Sequence, residues 1–247
     1  YAVPTTAGTG SEATAGAVIT DGKSHYKFTI LDLCLVPRYA VLDPELTCPL
    51  PPSITAVTGM DALTHAVEAY TNCFCSPSTK KVALDAVKLV YENLMNAYEN
   101  GQDIKARENM LLASYYAGVA INSNFIGYIH AIAHGIGGLY GVTHGKANAI
   151  VMPYVLEAFG EAAEKKLAQL ADAVSIYGKN EKEKAKAFVE SIRELNRKLD
   201  IGEKIQELKR EDFEELAERA VREGNPTYPV PVIWGKKEFW EFMEKIV

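Results

Sequence analysis

The chain has 247 residues, 48% of them hydrophobic and 23% charged, which supports a sizeable globular core in one large domain or two modest ones. A formal net charge of -6 argues against a nucleic-acid binder, which would carry a basic face. No apolar run approaches the roughly 18 residues of a membrane span, so no membrane partner is expected.

The chain opens on Tyr1-Ala2-Val3-Pro4, with no initiator Met and no signal-peptide pattern. Residues 4–12 are small, hydroxylated and glycine-rich, a loop whose backbone N–H groups and hydroxyls can approach a ligand closely. Short β-like runs follow at 17–20, 26–31 and 39–42, separated by Asp21-Gly22 and Pro37. Pro49, Pro51 and Pro52 mark a boundary, after which the pattern turns helical. A helix is predicted over 53–72, with Ser53 or Thr55 as its N-cap. Ser76-Pro77 opens another to about residue 98, and Asp103 a third to about 122. An apolar, histidine-bearing helix comes next and is expected to end at Gly135, Gly137 and Gly138. Residues 147–159, 161–177, 181–199, 211–223 and 236–246 complete the helices, the last four with solvated Glu/Lys faces. Cys34, Cys48, Cys73 and Cys75 form no CxxC pair, which fits reduced thiols in a cytoplasmic protein.

Four of the five histidines fall into a pattern with chemical meaning. Asp61 and His65 are four apart on one predicted helix, so both project from the same face. A carboxylate on so apolar a face is costly unless paired or metal-bound; a simple Asp–His hydrogen bond between helices has the same spacing. His130 and His134 repeat the interval on a second helix, and His144 returns after a turn containing Gly141. One Asp with two or three His offers a divalent cation three or four ligands and leaves a position open for substrate. Spacing alone does not separate His130 from His134, and the ligand types suit Fe(II), Zn, Mn, Co or Ni alike.

Three motifs carry a family resemblance over essentially the whole chain. They are Pro4-Thr5-Thr6-Ala7-Gly8-Thr9-Gly10-Ser11-Glu12; Gly59-x-Asp61-Ala62-x-x-His65-Ala66-x-Glu68; and Gly127-x-x-His130-Ala131-x-Ala133-His134-x-x-Gly137-Gly138, followed by His144-Gly145-x-Ala147-Asn148-Ala149 and Pro153. The sequence resembles the iron-containing (group III) alcohol dehydrogenases. The resemblance implies an α+β chain, mainly α: a dehydroquinate synthase-like helical metal-binding catalytic domain at 53–247, after a β-rich C-terminal part of a dinucleotide-binding domain at 1–52. It implies that Asp61, His65, His130 and His144 hold the metal, Fe(II) or else Zn, with His134 beside it as a catalytic, substrate-side residue. It also implies that Thr5, Thr6, Thr9 and Lys27 lie along NAD or NADP. The sequence departs from the family pattern at Gly135 and Thr143, where prolines are common, and at Gly16, where some members carry Asn.

Family members begin with a nucleotide-binding domain whose Gly-Gly-Gly-Ser-type loop holds the pyrophosphate. No such loop occurs in this sequence, so the chain is expected to be the C-terminal two-thirds of a longer protein. The activity implied is hydride transfer between a small primary alcohol or aldehyde and NAD(P) in a homo-oligomer, a dimer. A metal-binding helical fragment without redox activity, or a glycerol dehydrogenase-like relative, would share much of the pattern.

Overall fold

The computed structural model describes residues 1–23 and 27–247. Near the N-terminus β1 (Gly16–Thr20) pairs antiparallel with β2 (Lys27–Leu31), with Gly16 opposite Leu31 and Thr20 opposite Lys27. The predicted strand 26–31 is thus present from Lys27; Tyr26 lies outside the described residues. The run 39–42 forms no strand among the described residues; Ala40 makes only an isolated parallel bridge to Ala2. Its alternation is too short, and Asp43-Pro44 at once starts a 3-10 turn, Pro44–Thr47.

Nine α-helices follow among the described residues: α1 (Pro52–Thr71), α2 (Pro77–Glu99), α3 (Ile104–Asn124), α4 (Tyr128–Tyr140), α5 (His144–Ala158), α6 (Glu161–Ala173), α7 (Glu181–Lys198), α8 (Phe213–Gly224) and α9 (Lys236–Met243). None is long and apolar enough to cross a membrane. The chain is mainly helical with one small sheet. Ser76 and Asp103 cap α2 and α3, their side chains accepting from Thr79 N–H and Ala106 N–H. Helix α1 starts a residue earlier than expected, with Pro51 as its N-cap and Pro52, pre-set in φ and needing no donor, at its first position. Neither Ser53 nor Thr55 caps it; the Thr55 hydroxyl instead accepts from the buried Arg107 guanidinium at 2.7 Å.

Helix α1 is the hub. Ala56, Ala62, Ala66 and Ala69 keep it slim, and it is enclosed by α2, α3, α5 and α6. Close approach of α5 depends on Gly145, because a Cβ there would overlap the Val57 carbonyl of α1. That approach brings His144 toward Asp61. Helix α4 does not stop at Gly135, Gly137 and Gly138. It runs on to Tyr140 and ends at Gly141, which takes the left-handed C-cap conformation at φ 70°. The earlier glycines lie within the helix, and Gly135 faces Leu216 where α8 packs on α4. Helix α6 ends at Ala173, short of 177, and α9 at Met243, short of 246; a 3-10 turn, Arg210–Asp212, precedes α8.

Candidate metal centre and its cavity

Helix α1 presents Asp61, His65 and Glu68 toward α4 and α5. Asp61, His65 and His130 each offer one ligand atom, and the three atoms lie within 4.8 Å of one another, all buried. His144 is not a loop residue but the first residue of α5, and its Nε2 stands 3.4 Å from Asp61 Oδ1; His130 Nε2 is 3.8 Å from the same oxygen. The His65 and His130 rings stack at 4.6 Å, as do those of His134 and His144 at 5.0 Å. Ligand atoms set tetrahedrally about 2.1 Å from a cation lie about 3.4 Å apart, so these separations fit a divalent ion. The buried Nδ1 atoms of His65 and His144 have no hydrogen-bond partner among the described residues. Imidazole nitrogens around a buried carboxylate are the donor set expected for such an ion.

Burial keeps the His130 and His144 imidazoles neutral, as metal ligation requires. Burial, then the nearby His65, His144 and His134, hold His130 well below the usual histidine range. Burial likewise lowers His144 to about 4, against the opposing pull of Asp61. Beneath His130 sits Glu68, whose Oε2 is 2.5 Å from His130 Nδ1 and whose Oε1 accepts from Ile129 N–H at 2.8 Å. Burial pushes the Glu68 carboxyl up to about 8, partly offset by the N–H groups of Gly127, Ile129 and His130.

His134 lies one turn beyond His130, 5.9 Å between ring centres, and its Nδ1 pairs with Glu223 Oε1 at 2.6 Å. Tyr228 donates its hydroxyl proton to the same Glu223 oxygen at 2.8 Å. Asp61 and the four described histidines open onto a cavity of about 1030 Å³ that the hairpin and the glycine-rich loop close from the other side. Thr9 and Lys27 line it; Thr5 and Thr6 do not, and Thr5 is exposed. Of the apolar residues near the histidines, Phe125 reaches the cavity wall, whereas Ile129 and Ile132 are core.

Sequence reasoning gave no role to Glu68, Asn148, Glu223 or Tyr228. Glu68 was within reach, since it shares a helical face with Asp61 and His65; so was Asn148, one turn after His144. Glu223 and Tyr228 reach the site only because α8 packs on α4, which no local pattern announces.

The family model described as "Fe-containing alcohol dehydrogenase family, C-terminal" matches residues 55–246, and that of "Iron-containing alcohol dehydrogenase" matches 1–44. Alcohol dehydrogenase 4 of Saccharomyces cerevisiae is 40% identical over 227 residues, 90% of this chain and 58% of the relative. The NAD-dependent methanol dehydrogenase of Bacillus methanolicus is 40% identical over 223 residues, 89% of this chain and 58% of the relative. A crystal structure of a 1,3-propanediol oxidoreductase superposes with a TM-score of 0.94 at 36% identity, covering 99% of this chain and 65% of that one. The chain therefore spans about 58% of the length of these two curated relatives. With motifs, helical architecture and buried Asp–His cluster in agreement, the chain belongs to the iron-containing alcohol dehydrogenase family.

Proposed function

We propose that this chain supplies the metal centre and substrate cavity of an NAD(P)-dependent alcohol dehydrogenase acting on small primary alcohols and aldehydes. The observation that carries the reading is the convergence of Asp61, His65 and His130, with His144 beside Asp61, on the wall of a cavity that Thr9 and Lys27 also line. Asp61, His65, His130 and His144 would hold the cation, Fe(II) or else Zn. When bound, the ion supplies Lewis acidity that lowers the pKa of the alcohol and, in reverse, polarises the aldehyde carbonyl.

The chain's own residues do the rest. Thr9 and Lys27, with Thr5 and Thr6 further along the loop, orient the dinucleotide so that its C4 faces the substrate carbon that gives up hydride. His134 takes the hydroxyl proton, its ring held by the Glu223 carboxylate, and passes it toward solvent. Phe125 and Ile126 present apolar surface that suits a short aliphatic chain. In this reading residues 1–52 belong to the dinucleotide-binding domain and 53–247 form the metal-binding catalytic domain of a cytoplasmic dimer.

The test uses the full natural protein loaded with Fe(II) or Zn(II), following NAD(P)H formation from short primary alcohols. The Asp61→Ala, His144→Ala double variant is expected to lose turnover by at least about a thousandfold and to bind less than one equivalent of metal. Retained turnover would sink the assignment. Metal binding without turnover in the parent would favour a helical metal-binding module without redox activity.

A further inference from the structure

Asn148 lies four residues after His144 on α5 and is fully buried. Its amide nitrogen is 2.8 Å from Asp61 Oδ1, 3.1 Å from His130 Nε2 and 3.1 Å from His144 Nε2. An ionised carboxylate only accepts hydrogen bonds, so the group facing Asp61 is the NH2 and not the carbonyl oxygen. The same NH2 then faces both imidazoles, whose Nε2 atoms must present lone pairs to it. On the far side of the His130 ring, Nδ1 lies 2.5 Å from Glu68 Oε2, close enough for the two atoms to hold one proton between them. Lone pairs on Nε2 are what a cation needs.

We propose that Asn148 is a positioning residue that presets the metal centre: its NH2 aims Asp61 Oδ1 and the Nε2 lone pairs of His130 and His144 at one point and releases them when a divalent cation arrives. The proposal rests on the metal-centre reading above. Two features make the hold displaceable. Two amide hydrogens serve three acceptors, and both imidazole contacts lie at the long end of the hydrogen-bond range. The Asn148 carbonyl oxygen is buried with no hydrogen-bond partner among the described residues, so nothing anchors the amide from behind. Without the NH2, Asp61 Oδ1 would face the two Nε2 acceptors across less than 4 Å with no positive partner, and the ligands would relax apart or change tautomer.

Three measurements test this on the whole chain: Co(II) affinity by calorimetry, the Co(II) ligand-field spectrum, and the tautomers of His130 and His144 by ¹⁵N NMR of the metal-free form. The parent is expected to bind Co(II) and to show both rings protonated at Nδ1. Asn148→Leu, similar in volume but without a donor, should weaken Co(II) binding by about 10–100-fold and mix the tautomers, and Asn148→Ser should recover part of both. A folded Asn148→Leu protein that binds Co(II) within twofold of the parent with the same tautomers overturns the proposal. Should Asn148→Leu not fold, the parent decides: the Asn148 NH2 protons must exchange slowly without metal and shift on adding Zn(II), and resonances indifferent to Zn(II) overturn it. A parent chain that binds no Co(II) at all overturns the metal-centre reading as well, so the two failures are distinguishable.

Discussion

Glu68 shows how much of the centre is decided one residue behind the ligands. It is 3% exposed, a turn along α1 from His65, and it joins two helices by accepting from Ile129 N–H while facing His130 Nδ1. Gly127 packs so closely on it that a Cβ there would meet Glu68 Oε1 at 2.8 Å. Removing the carboxyl strands a buried amide and a buried ring nitrogen, each costing about 1–3 kcal/mol. Glu68→Ala is therefore expected to lower stability by roughly 2–4 kcal/mol in denaturant unfolding. Glu68→Gln should recover most of that, since the amide oxygen still accepts from Ile129. It should nonetheless bind Co(II) about tenfold more weakly, because the new NH2 then faces His130 Nδ1 and drives the ring proton to Nε2. Equal Co(II) affinity in Glu68→Gln and the parent would show that this contact does not tune His130.

At the scale of elements, the turn between α3 and α4 sets where His130 and His134 stand. Phe125 caps α3 at φ 58° and ψ 172°, a conformation in which a side chain is strained, and it lines the cavity. The strain is held by a clasp from α1. Asn72 Nδ2 donates to the carbonyls of Asn124, Phe125 and Ile126 at 3.0, 3.2 and 3.1 Å, while Asn124 Nδ2 donates back to Ala69 O at 2.6 Å. Asn72→Ala should cost on the order of 2–3 kcal/mol and lower the thermal midpoint by several degrees. Phe125→Gly in the same background should restore part of the loss by relieving the strained residue. If Asn72→Ala melts with the parent, the clasp is not what holds the turn. Caps such as Ser76-Pro77 and Asp103 were legible because they act within one turn of chain. The α1 cap was misjudged because Thr55 is taken by Arg107, 52 residues away.

At the scale of the molecule, the cavity joins two unlike walls, one of buried histidines on helices and one of hydroxyls and backbone from the loop and hairpin. The hairpin also exposes Val18, Ile19, Phe28, Ile30 and Leu31, each more than 40% accessible. The loop at 4–12 is not of the Gly-Gly-Gly-Ser type whose backbone amides compensate a pyrophosphate. This chain by itself is accordingly expected to bind NAD(P)H with a dissociation constant on the order of 1 mM or weaker in equilibrium dialysis. Micromolar binding would mean that the loop at 4–12 and Lys27 suffice as a dinucleotide site.

The sequence by itself determined the helical periodicity, the proline boundary before α1, the two histidine pairs four residues apart and the family motifs. These are local properties, set by 3.6 residues per turn and by residue type. Only the tertiary structure decided that Asp61, His65 and His130 share one point, that His144 enters from the start of α5, and that His134 turns toward Glu223. It also recast the glycines of α4, which carry the helix past its neighbours before Gly141 ends it. Which of two histidines on one helical face reaches a given carboxylate depends on the crossing of α1, α4, α5 and α8. That crossing is fixed by how closely small residues such as Gly145 let backbones approach across long separations in the chain, and no local pattern encodes it.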